Sequence, residues 1–320
     1  MASRWDYLAG REIKEAFGET MHALARENDL LTVVVSDYGR RLNLGGMREE
    51  YPEAFVQCGI AEQGQIEVAA SLANEGFHVI SPAYAVFSTT RSLDQIRILL
   101  GTMESPVCVV GISSGYESSA LGSSHVAVED IAVTRTIPNM CVVCPSDNIS
   151  MASVLEELTA RPRPAYVRIS GSLPDSGVHK DRDVAPIGKA CTLRDDSCAR
   201  VAILVTGVLT GQALEAAELL AEKGVPTRVV EFATVKPLDT DALDACREFE
   251  LVVTVEEHSV LGGFGSAVAE HFSEMAGSPH LVRLGTPDSY PVPDLPRPLL
   301  TEAGLLADGI AARILRELGQ

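Results

Sequence analysis

The chain has little positive charge. Its 26 Lys and Arg residues are outnumbered by 44 Asp and Glu, for a net charge of −18. That balance argues against nucleic acid or an anionic membrane surface as a partner held by a general electrostatic field. It leaves room for a small anionic substrate gripped by a few local arginines. Long apolar runs are also lacking, and no stretch approaches the roughly 20 residues of a membrane span. Residues 1–10 carry no apolar core of a secretory signal. The expectation is a cytoplasmic protein. A disulfide framework is missing too: the seven Cys are odd in number and scattered through apolar segments, as suits a reducing compartment. Cys141 and Cys144 form a C-x-x-C, but no second ligand pair is spaced for zinc. Those two read as part of a buried strand. Internal repeats and low-complexity segments are absent.

What is present is an ordinary globular balance, 46% hydrophobic and 22% charged over 320 residues, enough for two domains and a sizeable core. In the first half, short apolar runs at 30–36, 54–58, 77–81, 107–112, 140–144 and 164–169 read as strands. They alternate with helical patterns at 12–28, 63–74, 91–101, 126–136 and 149–160. Residues 172–194 have Gly, Pro, Asp and His but little periodicity. The alternation then restarts, with strands expected at 200–206, 226–231, 251–255 and 280–284. Helices are expected at 211–223, 239–246, 265–276 and 305–318. Strands alternating with helices predict parallel sheets covered on both faces. The expected fold class is α/β with two doubly wound domains, at 1–178 and 195–320, joined by a linker at 179–194.

Chemistry concentrates first at 57–63, Q-C-G-I-A-E-Q, centred on Glu62. A carboxylate between the end of a strand and the start of a helix stands where open α/β sheets place ligands. On its own it reads equally well as a first-turn Glu favoured by the helix dipole. Three further stretches follow in the first half. Residues 81–97 read S-P-A-Y-A-V-F-S-T-T-R-S-L-D-Q-I-R, with Tyr84 and Phe87; 122–125 read G-S-S-H, with Glu129 and Asp130 beyond; 137–147 read I-P-N-M-C-V-V-C-P-S-D. In the second half, Lys236-Pro237-Leu238-Asp239 and Glu256-Glu257-His258-Ser259 precede a Gly-rich turn.

Taken together and at consistent spacing, these stretches resemble the pyrimidine-binding and C-terminal domains of the transketolase family over nearly the whole chain. The resemblance implies a thiamine-diphosphate enzyme. By that resemblance Glu62 bonds the aminopyrimidine ring and activates the cofactor, Phe87 stacks on that ring with Tyr84 beside it, and His125 points at the substrate. Asp37, at the end of an early strand, joins the cofactor-binding candidates. Arg168, Arg91 and Arg11 match arginines that contact substrate anions in family members, and a planar guanidinium suits that contact. Ser113 stands where a phosphate-contacting His is usual, and Leu121 replaces an Asp that recognises a substrate hydroxyl. Lost hydrogen-bonding partners change selectivity sharply, so a modified or weakly phosphate-dependent ketose is expected. His258 matches a structural position of the C-terminal domain.

The family's G-D-G followed by a distant Asn, which holds the diphosphate and its Mg²⁺ (or Ca²⁺), is not found in this sequence. The expectation is that an N-terminal transketolase-like subunit supplies it, in an α2β2 assembly with self-association, with no metal ligands for the cofactor in this chain. The reaction implied is transfer of a two-carbon ketol unit from a ketose to an aldehyde. The alternatives are the beta subunit of a 2-oxoacid dehydrogenase decarboxylase component and a non-catalytic stabilising subunit.

Overall fold

The computed structural model describes residues 3–320, apart from the side chains of Tyr38 and Arg40. Residues 1 and 2 of the expected first domain lie outside the described residues. The chain forms two sheets, and the first domain owes its layers to strands that are apolar on both faces. Strand β1 (Leu31–Val35) is buried throughout. Val33 and Val35 pack with Phe17 and Met21 on one side, and Val34 packs with Ile66 and Ala70 on the other. A strand buried on both faces reads as a continuous apolar run rather than an alternating one.

The other strands of this domain are β2 (Phe55–Gln57), β3 (His78–Tyr84), β4 (Val107–Ile112), β5 (Cys141–Val143) and β6 (Ala165–Arg168). The second domain contributes β7 (Cys191–Asp195), β8 (Val201–Val205), β9 (Thr227–Glu231), β10 (Thr234–Lys236), β11 (Leu251–Ser259) and β12 (His280–Thr286). The first sheet has seven strands in the order β10-β5-β6-β4-β3-β1-β2, and the second has five in the order β12-β11-β8-β9-β7. All neighbours pair in parallel except β10 with β5 and β7 with β9. One apolar cluster runs from Val34 and Ile66 to Leu204, Phe232 and Phe264, so the two domains share a core. No helix among the described residues is long and apolar enough to cross a membrane.

Several local expectations shift. Strand β10 comes from the second half yet closes the edge of the first sheet; three residues are too few to show a period. Strand β7 begins inside the segment expected as linker, because an edge strand is half-exposed and carries charge. The helix expected at 126–136 is confined to Asp130–Arg135. The strand expected at 251–255 runs on to Ser259, which puts Glu256, Glu257 and His258 on the strand itself. A further helix, Pro296–Glu302, precedes the last one. The segment expected as a helix at 91–101 is wound as wide π-helical turns over Phe87–Arg91 and Ile96–Thr102.

Candidate active site

The C-terminal ends of β2, β1, β3 and β4 lie side by side along one sheet edge, with Gln57 beside Val35 and Tyr84 beside Ile112. Just beyond β2, Gly59 adopts φ +79°, and the Ala61 N–H returns to the Gly59 carbonyl at 2.8 Å. The chain thereby enters the helix Glu62–Asn74 with Glu62 as its first residue, buried to 6% exposure. One turn on, Gln65 fixes this end of the helix to the sheet. Its amide nitrogen donates to the Val34 carbonyl at 2.9 Å, the Ser81 hydroxyl at 2.9 Å and the Pro82 carbonyl at 3.2 Å. Glu62 is therefore held on a rigid element whose register three backbone and side-chain acceptors define.

Opposite Glu62, Tyr84, Phe87 and His125 form a ring cluster. Tyr84 and Phe87 are 5.6 Å apart edge-to-face, and His125 lies 5.3 Å from each. Such tilted pairs match the quadrupoles of the rings. The wide turn after Phe87 is written in its hydroxyls: Thr89 and Thr90 each donate to the carbonyl four residues back at 2.6 Å, and Ser92 donates to the Phe87 carbonyl at 3.0 Å. Single π-helical turns recur at functional sites. This one returns Arg91 over Phe87, with the guanidinium carbon 4.0 Å from the ring centroid. Arg91 Nη1 also donates to Glu62 Oε2 at 2.8 Å. Arg91 thus covers both the aromatic face and the carboxylate, while remaining 45% exposed itself. Arg41 donates to the Tyr84 hydroxyl at 2.6 Å, placing a second cation at the same rim.

His125 is carried by a loop whose base is pinned. Gly115 and Ala127 exchange both backbone hydrogen bonds, at 2.8 and 3.2 Å. At the tip, the Ser124 hydroxyl meets His125 Nδ1 at 3.0 Å. Beneath the base lies a buried polar network. Arg168 Nε donates to Asp130 at 2.9 Å, and Arg168 Nη2 donates to the Ala127 carbonyl at 3.2 Å and the Glu257 carbonyl at 2.8 Å. The Tyr166 hydroxyl donates to the same Asp130 oxygen at 2.6 Å. Glu257 crosses from the second domain to accept the Tyr116 N–H at 3.0 Å. A Cβ on Gly115, which has φ +62°, would come within 2.2 Å of that carboxyl, so a side chain here would have to displace Glu257.

Burial governs the titration of this network. It pushes Glu256 up to about 7, against two helix-start N–H bonds from Gly265 and Phe264. It pushes His258 down to about 4. His258 Nε2 accepts the Ala132 N–H at 3.2 Å and Nδ1 donates to the Ser259 carbonyl at 2.8 Å, so both ring nitrogens are engaged by backbone. The thiols of Cys141 and Cys144 are raised by burial to about 11 and about 12, which leaves them protonated at neutral pH.

The sequence candidates therefore separate. Glu62, Tyr84, Phe87, His125 and Arg91 come together. Asp37 lies two residues beyond the end of β1 and lines a groove of about 290 Å³ with Gly39, Arg48, Phe55 and Gln57. Leu121 is exposed on the His125 loop. Ser113 is buried at φ +57° and donates to Glu117 at 3.0 Å. Arg11 pairs with Glu19 and borders a cleft lined also by Asp147 and Asp175, an acidic setting for an anion. Arg168 differs most from its expected role as an anion contact: it is buried, and its donors already hold Asp130 and two carbonyls. Sequence reasoning missed Gln65, one helical turn after Glu62 on the same face, and Arg41 beside Tyr84.

Residues 10–174 match the transketolase pyrimidine binding domain, and residues 188–310 match the transketolase C-terminal domain. The chain belongs to the transketolase family. It is 35% identical over 305 residues to an apulose-4-phosphate transketolase subunit from Phocaeicola vulgatus, covering 94% of this chain and 96% of that one. It is 30% identical over 299 residues to a 6-deoxy-6-sulfo-D-fructose transketolase subunit from a Clostridium species, covering 93% and 92%. A solved split-gene transketolase, an inactive β4 tetramer, superposes with a TM-score of 0.84 at 32% identity, covering 96% of this chain and 98% of that one. Over 93–96% of its length this transketolase-family chain thus corresponds to chains that are separate subunits in split members.

The transketolase family implies thiamine diphosphate, and the residues present fit one end of it. A buried carboxylate faces an aromatic platform, and a half-exposed arginine side chain spans the space between them. A carboxyl group to meet a ring nitrogen and an aromatic face to stack on suit an aminopyrimidine ring.

Proposed function

We propose that this chain is the C-terminal subunit of a split transketolase-like enzyme that transfers a two-carbon ketol unit from a ketose to an aldehyde acceptor. A separate N-terminal subunit carrying G-D-G…N holds the diphosphate and its Mg²⁺ (or Ca²⁺). The reading is carried by the juxtaposition of buried Glu62 with the face of Phe87, Arg91 lying between them. The sequence's lack of a diphosphate motif supports the division between two chains.

Bound thiamine diphosphate supplies the nucleophilic carbon that breaks and remakes the carbon–carbon bond. Glu62 would hold the pyrimidine ring nitrogen. Phe87 and Tyr84 would wall the ring from water, with Asp37 at the adjoining strand end. Arg91, whose side chain lies on Glu62 and Phe87, would guard the mouth of the site with Arg41. His125, with Nδ1 held by Ser124, would use Nε2 to hold or relay protons at substrate hydroxyls.

The two relatives' names each place an anionic group on the sugar, a phosphate or a sulfonate. Two rim arginines fit such a terminus, and Leu121 in place of an Asp fits a substrate other than the ordinary pentose phosphates. The assembly would be α2β2, formed around self-associated copies of this chain. The inactive β-only tetramer of the solved relative supports both the self-association and the need for a partner.

The test is reconstitution with the companion chain and a screen of phosphorylated, sulfonated and plain ketose donors against aldehyde acceptors. The expected result is ketol transfer by the pair, reduced about 100-fold or more by Glu62→Gln. Unchanged turnover in that variant would make this a stabilising subunit. Decarboxylation of pyruvate by the pair, without ketol transfer, would make it a 2-oxoacid dehydrogenase component.

A further inference from the structure

We propose that His179, Cys191 and Glu231 form a binding site for a zinc-type divalent cation, separate from the metal of the cofactor, that clamps the interdomain segment onto both domains. The three residues lie far apart in sequence, so no spacing announces them. The fold assembles them from three directions. Cys191 and Glu231 are directly opposed in the antiparallel pairing of β7 with β9, which puts both side chains on one face of the sheet. His179, from the segment leading into β7, lands on that pair. One ligand atom from each lies within 4.8 Å of the others.

Two observations point to an ion rather than a simple ion pair. His179 Nε2 and Glu231 Oε2 are 3.0 Å apart, yet Nε2 makes no hydrogen bond, and neither does Glu231 Oε1, although both atoms are buried. Buried polar atoms without partners are costly. Two ligands bound at about 2.0–2.2 Å in a tetrahedron lie roughly 3.3 Å apart, close to this separation. The other ring nitrogen is arranged as in a metal-bound histidine. Asp147 Oδ1 stands 3.4 Å from Nδ1, and Asp147 Oδ2 accepts the His179 backbone N–H at 2.7 Å. A carboxylate behind the ring sets which nitrogen faces the metal. Asp147 is itself fixed as the cap of helix Asn148–Ala160 by a reciprocal bond with Ser150.

A cation between the three residues would give partners to the buried His179 and Glu231 atoms that otherwise have none. The thiolate and imidazole select zinc over magnesium, and three protein ligands leave the fourth position to water. The clamp would join the first domain through Asp147, the connecting segment through His179 and the second sheet through Cys191 and Glu231.

The test uses the full chain, stripped with a chelator and reloaded with zinc or cobalt. About one zinc per chain should survive gel filtration, with a melting temperature about 3 °C or more above the stripped protein. The cobalt form should show a thiolate-to-metal charge-transfer band that Cys191→Ser abolishes. His179→Ala should lose the retained metal, with circular dichroism reporting its fold; Cys191→Ser, on a half-exposed edge strand, is the variant that carries the test if His179→Ala does not fold. No retained metal, equal retention by the wild type and Cys191→Ser, or a cobalt spectrum without the thiolate band would overturn the proposal.

Discussion

Two polar regions of this chain contain the same kinds of residue, carboxylates, an arginine, a tyrosine and a histidine, and are built to opposite ends. Around Asp130, Arg168, Tyr166, Glu257 and His258 every named group is buried and most donors meet acceptors within the chain. Around Glu62, Tyr84, Phe87, Arg91 and His125 the groups lie at a strand edge, and a half-exposed arginine alone spans the carboxylate and the ring. The first region spends its hydrogen bonds on joining two domains and fixing the base of the His125 loop. The second keeps a carboxylate and a ring face within reach of a ligand. Burial within the chain, rather than residue type, distinguishes this structural network from the site.

The largest effect should come from breaking the buried region. Arg168→Met leaves Asp130 and Glu257 buried without their cation, and should cost about 3–5 kcal/mol in denaturant unfolding. A variant that unfolds like the wild type would erase the distinction between the regions. Glu62→Gln should do the reverse: unfolding within about 0.5 kcal/mol of the wild type, with turnover of the reconstituted enzyme falling as stated above.

Acid should open the buried region selectively. Burial lowers His258 from 6.5 to about 4, so the folded state disfavours the imidazolium that the unfolded chain accepts. The corresponding stability is present above pH 6.5 and is lost as pH falls toward 4, by up to about 3 kcal/mol. Glu256, raised to about 7, acts oppositely, losing its contribution as pH rises from about 4.5 to 7. His258→Gln should flatten the acid limb of unfolding free energy against pH; an unchanged limb would remove His258 from the account. The smallest effect is expected from Tyr84→Phe, which deletes the hydroxyl that accepts from Arg41. It should change KM for an anionic donor less than about 10-fold and stability by less than about 1 kcal/mol.

Much of this was legible in the sequence, for physical reasons that also mark its limits. Continuous apolar runs such as 107–112 and 164–169 announce strands buried on both faces, and the parallel α/β class follows from them. Strand β10 and strand β7 were not legible, because one is three residues long and the other is a charged edge. The open cluster was legible because Glu62, Phe87 and Arg91 lie on two short motifs that the chain brings to one sheet edge. Arg168 reads the same as Arg91 in a motif, and only burial separates a guanidinium already holding Asp130 from one lying on a ring. The wide turn at Phe87–Arg91 was also hidden, since a run of Ser and Thr does not declare whether its hydroxyls will bond back to the preceding carbonyls.

The Glu62–Phe87 cluster is, on this account, one half of a cofactor site completed by another chain. Calorimetric titration of thiamine diphosphate with Mg²⁺ into this chain, the companion chain and their mixture tests it most directly. Saturable binding by the mixture is expected, at least about 10-fold tighter than by either chain alone, and weakened by Glu62→Gln. Equally tight binding by this chain alone, or binding by the mixture that ignores Glu62→Gln, would contradict it.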